Sequence, residues 1–167
     1  ILTDWLDYLG NCKLCKYDLH NDFVLFPKDL RKRHDEMRAI TDEKVLELCN
    51  KRIKERYMTL SKLYNWKYKG FIIRVASSAD ELIAEGQNLH HCVGTYKEEM
   101  AKGKTAILFL RKAETPDKSF YTIEVKNNKI RQLRGYRDCD PTPLVKSTVQ
   151  KFADRCKLLT EDLNKAA

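Results

Sequence analysis

The sequence predicts an α+β fold: N-terminal helices, an antiparallel sheet of about five strands interrupted by a His-bearing helix, and a C-terminal helix. Three observations predict it. Apolar residues recur at helical spacing up to Asn65. From Trp66 to Tyr136 they gather into β-branched and aromatic runs joined by two hairpin signals, Lys69-Gly70 and Asn127-Asn128. Beyond Pro143 the helical spacing returns.

The elements follow in order. From Asp4 to Lys16, residues Trp5, Tyr8, Leu9, Cys12 and Cys15 trace one helical face. Asn21-Asp22 breaks the pattern, and Phe23 to Phe26 runs into Pro27, which suits the first turn of a new helix. That helix is expected from Lys28 toward Asn65, with an interruption near Ile40-Thr41-Asp42 where Thr41 can serve as N-cap. Trp66 to Tyr68 and Phe71 to Val75 read as a hairpin around a glycine-containing turn. Ser78 can cap a helix starting at Ala79 and carrying Glu81 in its first turn. This helix delivers Leu89-His90-His91-Cys92, and helix resumes through Lys97 to Ala101 before Gly103. Strands follow at Thr105 to Arg111, Ser119 to Lys126 and Lys129 to Tyr136, the last two joined by Asn127-Asn128. Pro141 and Pro143 punctuate, and Leu144 to Leu163 has the spacing of a closing amphipathic helix.

The length of 167 residues suits one domain, with a helical part over 1–65 and a sheet-containing core over 66–167. Because it opens on Ile1, the chain is expected to be the C-terminal fragment of a longer protein. No apolar run approaches the ~20 residues of a membrane span, so a cytoplasmic setting with no membrane partner is expected. Lys and Arg number 32 against 24 Asp and Glu, a net charge of +8. The excess favours nucleic acid, RNA or single-stranded DNA, as partner. Lys51, Arg52 and Arg56 on the long helix, with Arg134 and Arg137, are the candidate phosphate contacts, although a solvated helix face carries similar charges.

Six cysteines are present, and only Cys12-x-x-Cys15 has metal-ligand spacing. His20 could be a third ligand and no fourth follows. Since Leu9, Cys12, Cys15 and Leu19 share a helical face, apolar packing of reduced thiols is the expectation. No metal and no cofactor are expected.

Chemistry concentrates in Leu89-His90-His91-Cys92-Val93-Gly94, closing on Tyr96. Imidazole exchanges protons near neutral pH, and glycine lets the chain turn where the side chains emerge. The competing reading is an apolar stripe of Leu89, Cys92, Val93 and Tyr96. Nothing around Cys92 resembles a cysteine-protease signature. The strands add a second anomaly. Thr122 and Glu124 alternate with Tyr121, Ile123 and Val125, so they occupy the opposite sheet face; Gln132 and Arg134 share a face of the next strand. A two-residue Asn127-Asn128 turn pairs Glu124 with Arg131, and a three-residue turn pairs it with Gln132. An ordinary solvated face with a cross-strand ion pair is the plain alternative. A polar face bearing His, Arg, Thr and Glu also meets the needs of metal-independent RNA cleavage, which are a base, an acid and a cation for the phosphoryl charge. The candidate catalytic set is His90, His91, Arg111, Thr122, Glu124 and Gln132.

Several blocks occur in a telling order: Phe26-Pro27-Lys28-Asp29-Leu30 with His34-Asp35, then Glu85 to Tyr96, Ile107 to Arg111, Tyr121 to Glu124, and Gln132 to Gly135. Together they resemble PcfJ-like proteins of conjugative plasmids, phages and related mobile elements, over nearly the whole chain. The segment Tyr136-Arg137-Asp138 departs from the Lys-Asn-Asn often found there in that family. The resemblance implies a bacterial, mobile-element setting with other mobile-element proteins as further partners, and it implies no particular reaction. Whether the chain is an enzyme stays open between a metal-independent ribonuclease and a non-catalytic module that binds nucleic acid or protein. Transfer of an ADP-ribosyl-type group is a third, less supported reading.

Overall fold

The computed structural model describes residues 1–163, and these divide into two compact units, Ile1–Leu48 and a second from Cys49 onward. The class is α+β. In the first unit, α1 (Leu2–Leu14), α2 (Asp22–Leu25) and the start of α3 (Leu30–Tyr64) enclose a small core of Tyr8, Cys12 and Met37. Trp5 Nε1 donates to Leu25 O at 2.8 Å and the Tyr8 hydroxyl donates to Val24 O at 2.8 Å, so the partly buried Trp5 and the buried Tyr8 both stay satisfied. Cys12 is wholly buried in this core, and Cys15 packs against it with its sulfur 3.6 Å from Thr41 Oγ1.

Two expectations for these helices are corrected. Phe23 to Leu25 is itself a helical turn capped by Asn21, whose Oδ1 accepts from Phe23 N. The long helix starts only at Leu30, where Asp29 Oδ1 accepts from Lys32 N at 3.0 Å, so Pro27 precedes it. α3 is also continuous through Thr41. The Thr41 hydroxyl donates to Met37 O one turn back at 2.8 Å, which satisfies it inside the helix and removes it as a cap. Among the described residues no helix is long and apolar enough to cross a membrane.

The second unit is built on a five-stranded antiparallel meander in the order β1-β2-β3-β4-β5. The strands are β1 (Trp66–Tyr68), β2 (Phe71–Val75), β3 (Ala106–Lys112), β4 (Tyr121–Lys126) and β5 (Lys129–Arg134). Lys69 and Gly70 both take positive φ, as do Asn127 and Asn128, so each hairpin turns through two left-handed residues as the right-handed strand twist favours. Directly opposed residues share a face. Trp66, Ile73, Leu110 and Tyr121 form one row on the face that α6 (Pro143–Cys156) covers, where Phe152 lies 6.0 Å from the Trp66 ring.

The opposite face carries the rows Arg74–Phe109–Thr122–Arg134 and Ile107–Glu124–Gln132. It faces α4 (Ala79–Leu89) and the 3₁₀ turn Cys92–Tyr96, which leads into α5 (Lys97–Ala101). Ser78 caps α4 by accepting from Glu81 N at 3.1 Å.

The closing helix is shorter than expected. α6 ends at Cys156, Lys157 turns left-handed, and Leu158 is buried. Leu159 then pairs with the free edge of β5: Ile130 N donates to Leu159 O at 2.9 Å, and Leu159 N donates to Asn128 O at 3.0 Å. Covering an exposed strand edge outweighs another helical turn here.

Candidate functional site: a cleft between the histidine turn and the sheet

α4 stops at His90, which adopts a left-handed conformation (φ 52°), and His91 N donates back to Gly86 O at 3.1 Å. Gly86 is required by this reversal, because a Cβ there would sit 2.9 Å from His91 O. The turn aims His91 at the sheet. His91 Nδ1 accepts from Val93 N at 3.4 Å, and Nε2 lies 3.3 Å from Thr122 Oγ1. Thr122 has one hydroxyl proton, and its Oγ1 donates it to Glu85 Oε1 at 3.3 Å. With Nδ1 accepting, the neutral ring carries its proton on Nε2 and donates to Thr122. A directed chain results, from His91 through Thr122 to Glu85.

Glu85 is the residue that sequence reasoning missed. It sits on the buried side of α4 with Leu82 and Leu89, and a carboxylate on that apolar stripe is the signal that could have exposed it. Arg111 grips it with both terminal nitrogens, at 2.9 and 2.6 Å, and the Ser119 hydroxyl donates to it at 2.7 Å. Arg111 is 3% exposed and its guanidinium stacks 4.7 Å from the Phe109 ring. It does not reach the cleft. Its expected place beside the histidines as a cation for substrate is therefore corrected: it neutralises Glu85 inside the protein.

Next to this network lies a cleft of about 20 Å³, lined by His91, Val93, Tyr96, Ile107, Thr122, Glu124 and Arg134, with exposed Cys92, Gln132 and Asp138 along its rim. That volume admits a water molecule or one small functional group, not a nucleobase. Glu124 is 7% exposed, shares the one Thr105 hydroxyl proton with Val125 O, each acceptor 3.1 Å from Thr105 Oγ1, and forms no ion pair among the described residues. The reason is a β-bulge. The two-residue turn pairs Lys126 with Lys129 and Val125 with Ile130, then the register shifts between Glu124 and Val125 so that Glu124 opposes Gln132. Arg131 is the extra residue. Both turn alternatives drawn from the sequence assumed a regular ladder, and the bulge combines the two-residue turn with the Gln132 pairing. Tyr96 completes the wall. Its phenol is pushed up in pKa by burial and then by the charges of Glu124 and Cys92, against an opposing hydrogen bond from Gln132.

The remaining candidates separate. His90 is exposed and meets Tyr136 edge to face, with ring centroids 5.2 Å apart, outside the cleft wall. Arg134 lines the cleft and is held by Asp140. Arg137 is exposed beside Tyr136, and Lys51 and Arg52 are exposed on α3. Arg56 is only half exposed. Its Nη1 donates to Met100 O at 2.7 Å at the end of α5, and its guanidinium packs on Gly103, where a Cβ would lie 2.9 Å from Cζ. Arg56 therefore also ties down a helix terminus, set back from the exposed Lys51 and Arg52. Among the described residues no group of three His, Cys, Asp or Glu side chains could hold a metal ion.

The family model for PcfJ-like proteins matches residues 4–149, which takes in nearly all of α1 through the first half of α6 and every residue of the cleft. The chain belongs to the PcfJ-like family. An uncharacterized protein of Listeria innocua is 31% identical over 161 residues, covering 95% of this chain and 35% of that protein. This PcfJ-like chain thus spans about a third of the length of that curated relative. No solved structure matches it significantly.

Proposed function

We propose that this PcfJ-like chain acts on nucleic acid, as a metal-independent ribonuclease whose reaction takes place at the His91–Glu124 cleft. The observation that carries the reading is Glu124: a carboxylate more than nine-tenths buried, with no ion pair among the described residues, in the wall of a cleft that also presents an imidazole and a guanidinium. A buried carboxylate with so little compensation is costly to the fold, and such costs gather at sites of chemistry. The cleft volume suits a single ribose hydroxyl entering while the strand lies across the rim. Glu124 takes the 2′-hydroxyl proton, the 2′ oxygen attacks phosphorus, and the bond to the 5′ oxygen breaks. His91 in its protonated form gives a proton to that leaving oxygen, and Arg134 offsets the phosphoryl charge. Protonated Nδ1 cannot accept from Val93 N, so charging His91 loosens the turn that carries it.

The test is incubation of the purified chain with single-stranded RNA and with the 2′-deoxy equivalent, each with and without chelator. Cleavage of RNA alone, insensitive to chelator and lowered about 10²- to 10⁴-fold in His91→Ala and Glu124→Gln, is expected. Binding should survive both substitutions and weaken with salt, and the Lys51→Ala, Arg52→Ala double variant should reduce that salt dependence. Cleavage that persists in Glu124→Gln, or that chelator abolishes, overturns the mechanism. Salt-insensitive binding without cleavage would favour the second reading, a module for a protein partner.

A further inference from the structure

We propose that the Gly135–Cys139 loop is a nucleobase-stacking site, in which the exposed ring of Tyr136 takes a base of a single-stranded nucleic acid; the inference rests on the nucleic-acid reading of the neighbouring cleft and names how the strand is held there. The loop adjoins the cleft, because its own Asp138 and the preceding Arg134 both line it. Its backbone is closed on itself: Gly135 N donates to Cys139 O, Asp138 N to Gly135 O and Cys139 N to Tyr136 O, each at 3.1 Å. The Arg134–Asp140 ion pair and the Tyr121 hydroxyl on Asp140 O clamp its base. Gly135 has no room for a side chain, since a Cβ would lie 2.8 Å from Cys139 Sγ and from the Tyr121 ring.

This bracing holds Arg137 (φ 51°) and Asp138 (φ 57°) at consecutive positive φ, a region that aspartate tolerates and arginine seldom adopts. The side chains so presented bury little. Tyr136 is 49% exposed, and Arg137 and Asp138 are exposed as well. A braced loop that gains little packing from its tip is a loop shaped for a ligand. The ring already has the company a base would keep. His90 stands at 87° to it and the Arg137 guanidinium lies 5.4 Å from its centroid. A base arriving on that face displaces the guanidinium toward a phosphate, so one residue pair supplies both stacking and charge. The cleft itself is too small for a base, so a strand with its sugar–phosphate at Arg134 needs a platform outside it.

The experiment measures affinity of the full chain for a short single-stranded DNA, which offers bases but no 2′-hydroxyl to cleave. It is compared with a strand of equal length carrying abasic tetrahydrofuran sites, at fixed salt. The base-bearing strand should bind about tenfold tighter, and Tyr136→Leu should erase that ratio while Tyr136→Phe keeps it. Arg137→Ala should lower the affinity for both strands and flatten the salt dependence. Thermal unfolding of the Tyr136 variants reports on folding, and Tyr136→Ser, which should erase the ratio as Tyr136→Leu does, carries the comparison if Tyr136→Leu unfolds. Equal affinity for the two strands, or a ratio unchanged in Tyr136→Leu, overturns the stacking site. Failure of the ribonuclease reading appears elsewhere, as intact RNA, and leaves this ratio untouched.

Discussion

Glu85 and Glu124 stand on the same covered side of the sheet, 3% and 7% exposed, in opposite surroundings. Glu85 has a bidentate arginine and two hydroxyl donors, so its charge is met inside the protein. Glu124 has one threonine hydroxyl and a tyrosine beside it. A buried carboxylate with a full set of partners is a fixture; one with a single donor, facing a cleft, retains lone pairs for a substrate proton. Thr122 ties the two ends together, since it donates to Glu85 and lies against His91.

The comparison breaks most sharply under charge removal. Glu85→Ala or Arg111→Ala leaves a buried charge alone and should cost about 3–5 kcal/mol in urea unfolding. A Glu85→Leu, Arg111→Met double variant should recover part of that loss. Glu124→Gln removes a carboxylate that makes no ion pair among the described residues, so its stability should stay within about 1 kcal/mol of the unsubstituted chain or exceed it. Comparable losses in Glu85→Ala and Glu124→Gln would make both carboxylates structural and end the distinction.

A smaller effect sharpens the link between the two ends. Thr122→Val removes the hydroxyl that joins Glu85 to His91, for about 1–3 kcal/mol. Nitrogen NMR of the imidazole should show Nε2–H as the dominant neutral tautomer in the native chain and a mixture in Thr122→Val. An unchanged tautomer ratio would mean that the Val93 contact alone orients the ring.

Smaller still are the pH effects, which act at opposite ends of the scale. Burial, followed by the Glu124 charge, raises the Tyr96 phenol, so the folded chain keeps a proton that the unfolded chain releases. That contribution is complete below about pH 10 and is lost as pH rises through the folded value. Tyr96→Phe should therefore flatten the alkaline limb of a stability–pH curve. Glu81 behaves in reverse. Burial pushes it up, but the Arg74 side chain and Ser77 together hold it below its usual range. Its contribution is present above about pH 4 and is lost as pH falls through the folded value, so Glu81→Gln should flatten the acid limb. Limbs that are unaltered in these two variants would remove both groups from the pH response.

Local patterns alone determined much of this molecule. The five strands, the two left-handed hairpin turns, the Ser78 cap and the placement of Thr122 and Glu124 opposite the apolar row all follow from spacing and turn chemistry, because each depends on residues within a few positions of one another. Only the tertiary structure decided who meets whom. Arg111 finds Glu85 across 26 positions, which turns an expected substrate cation into an internal tie, and half-buried Arg56 finds Met100 across 44. Leu159 closes a sheet edge where helical spacing alone predicted more helix. The β-bulge shifts one strand by a residue and gives Glu124 a glutamine neighbour in place of an arginine. Periodicity fixes which face a side chain occupies; register and long-range packing fix its partner, and whether a buried carboxylate is neutralised depends on that partner.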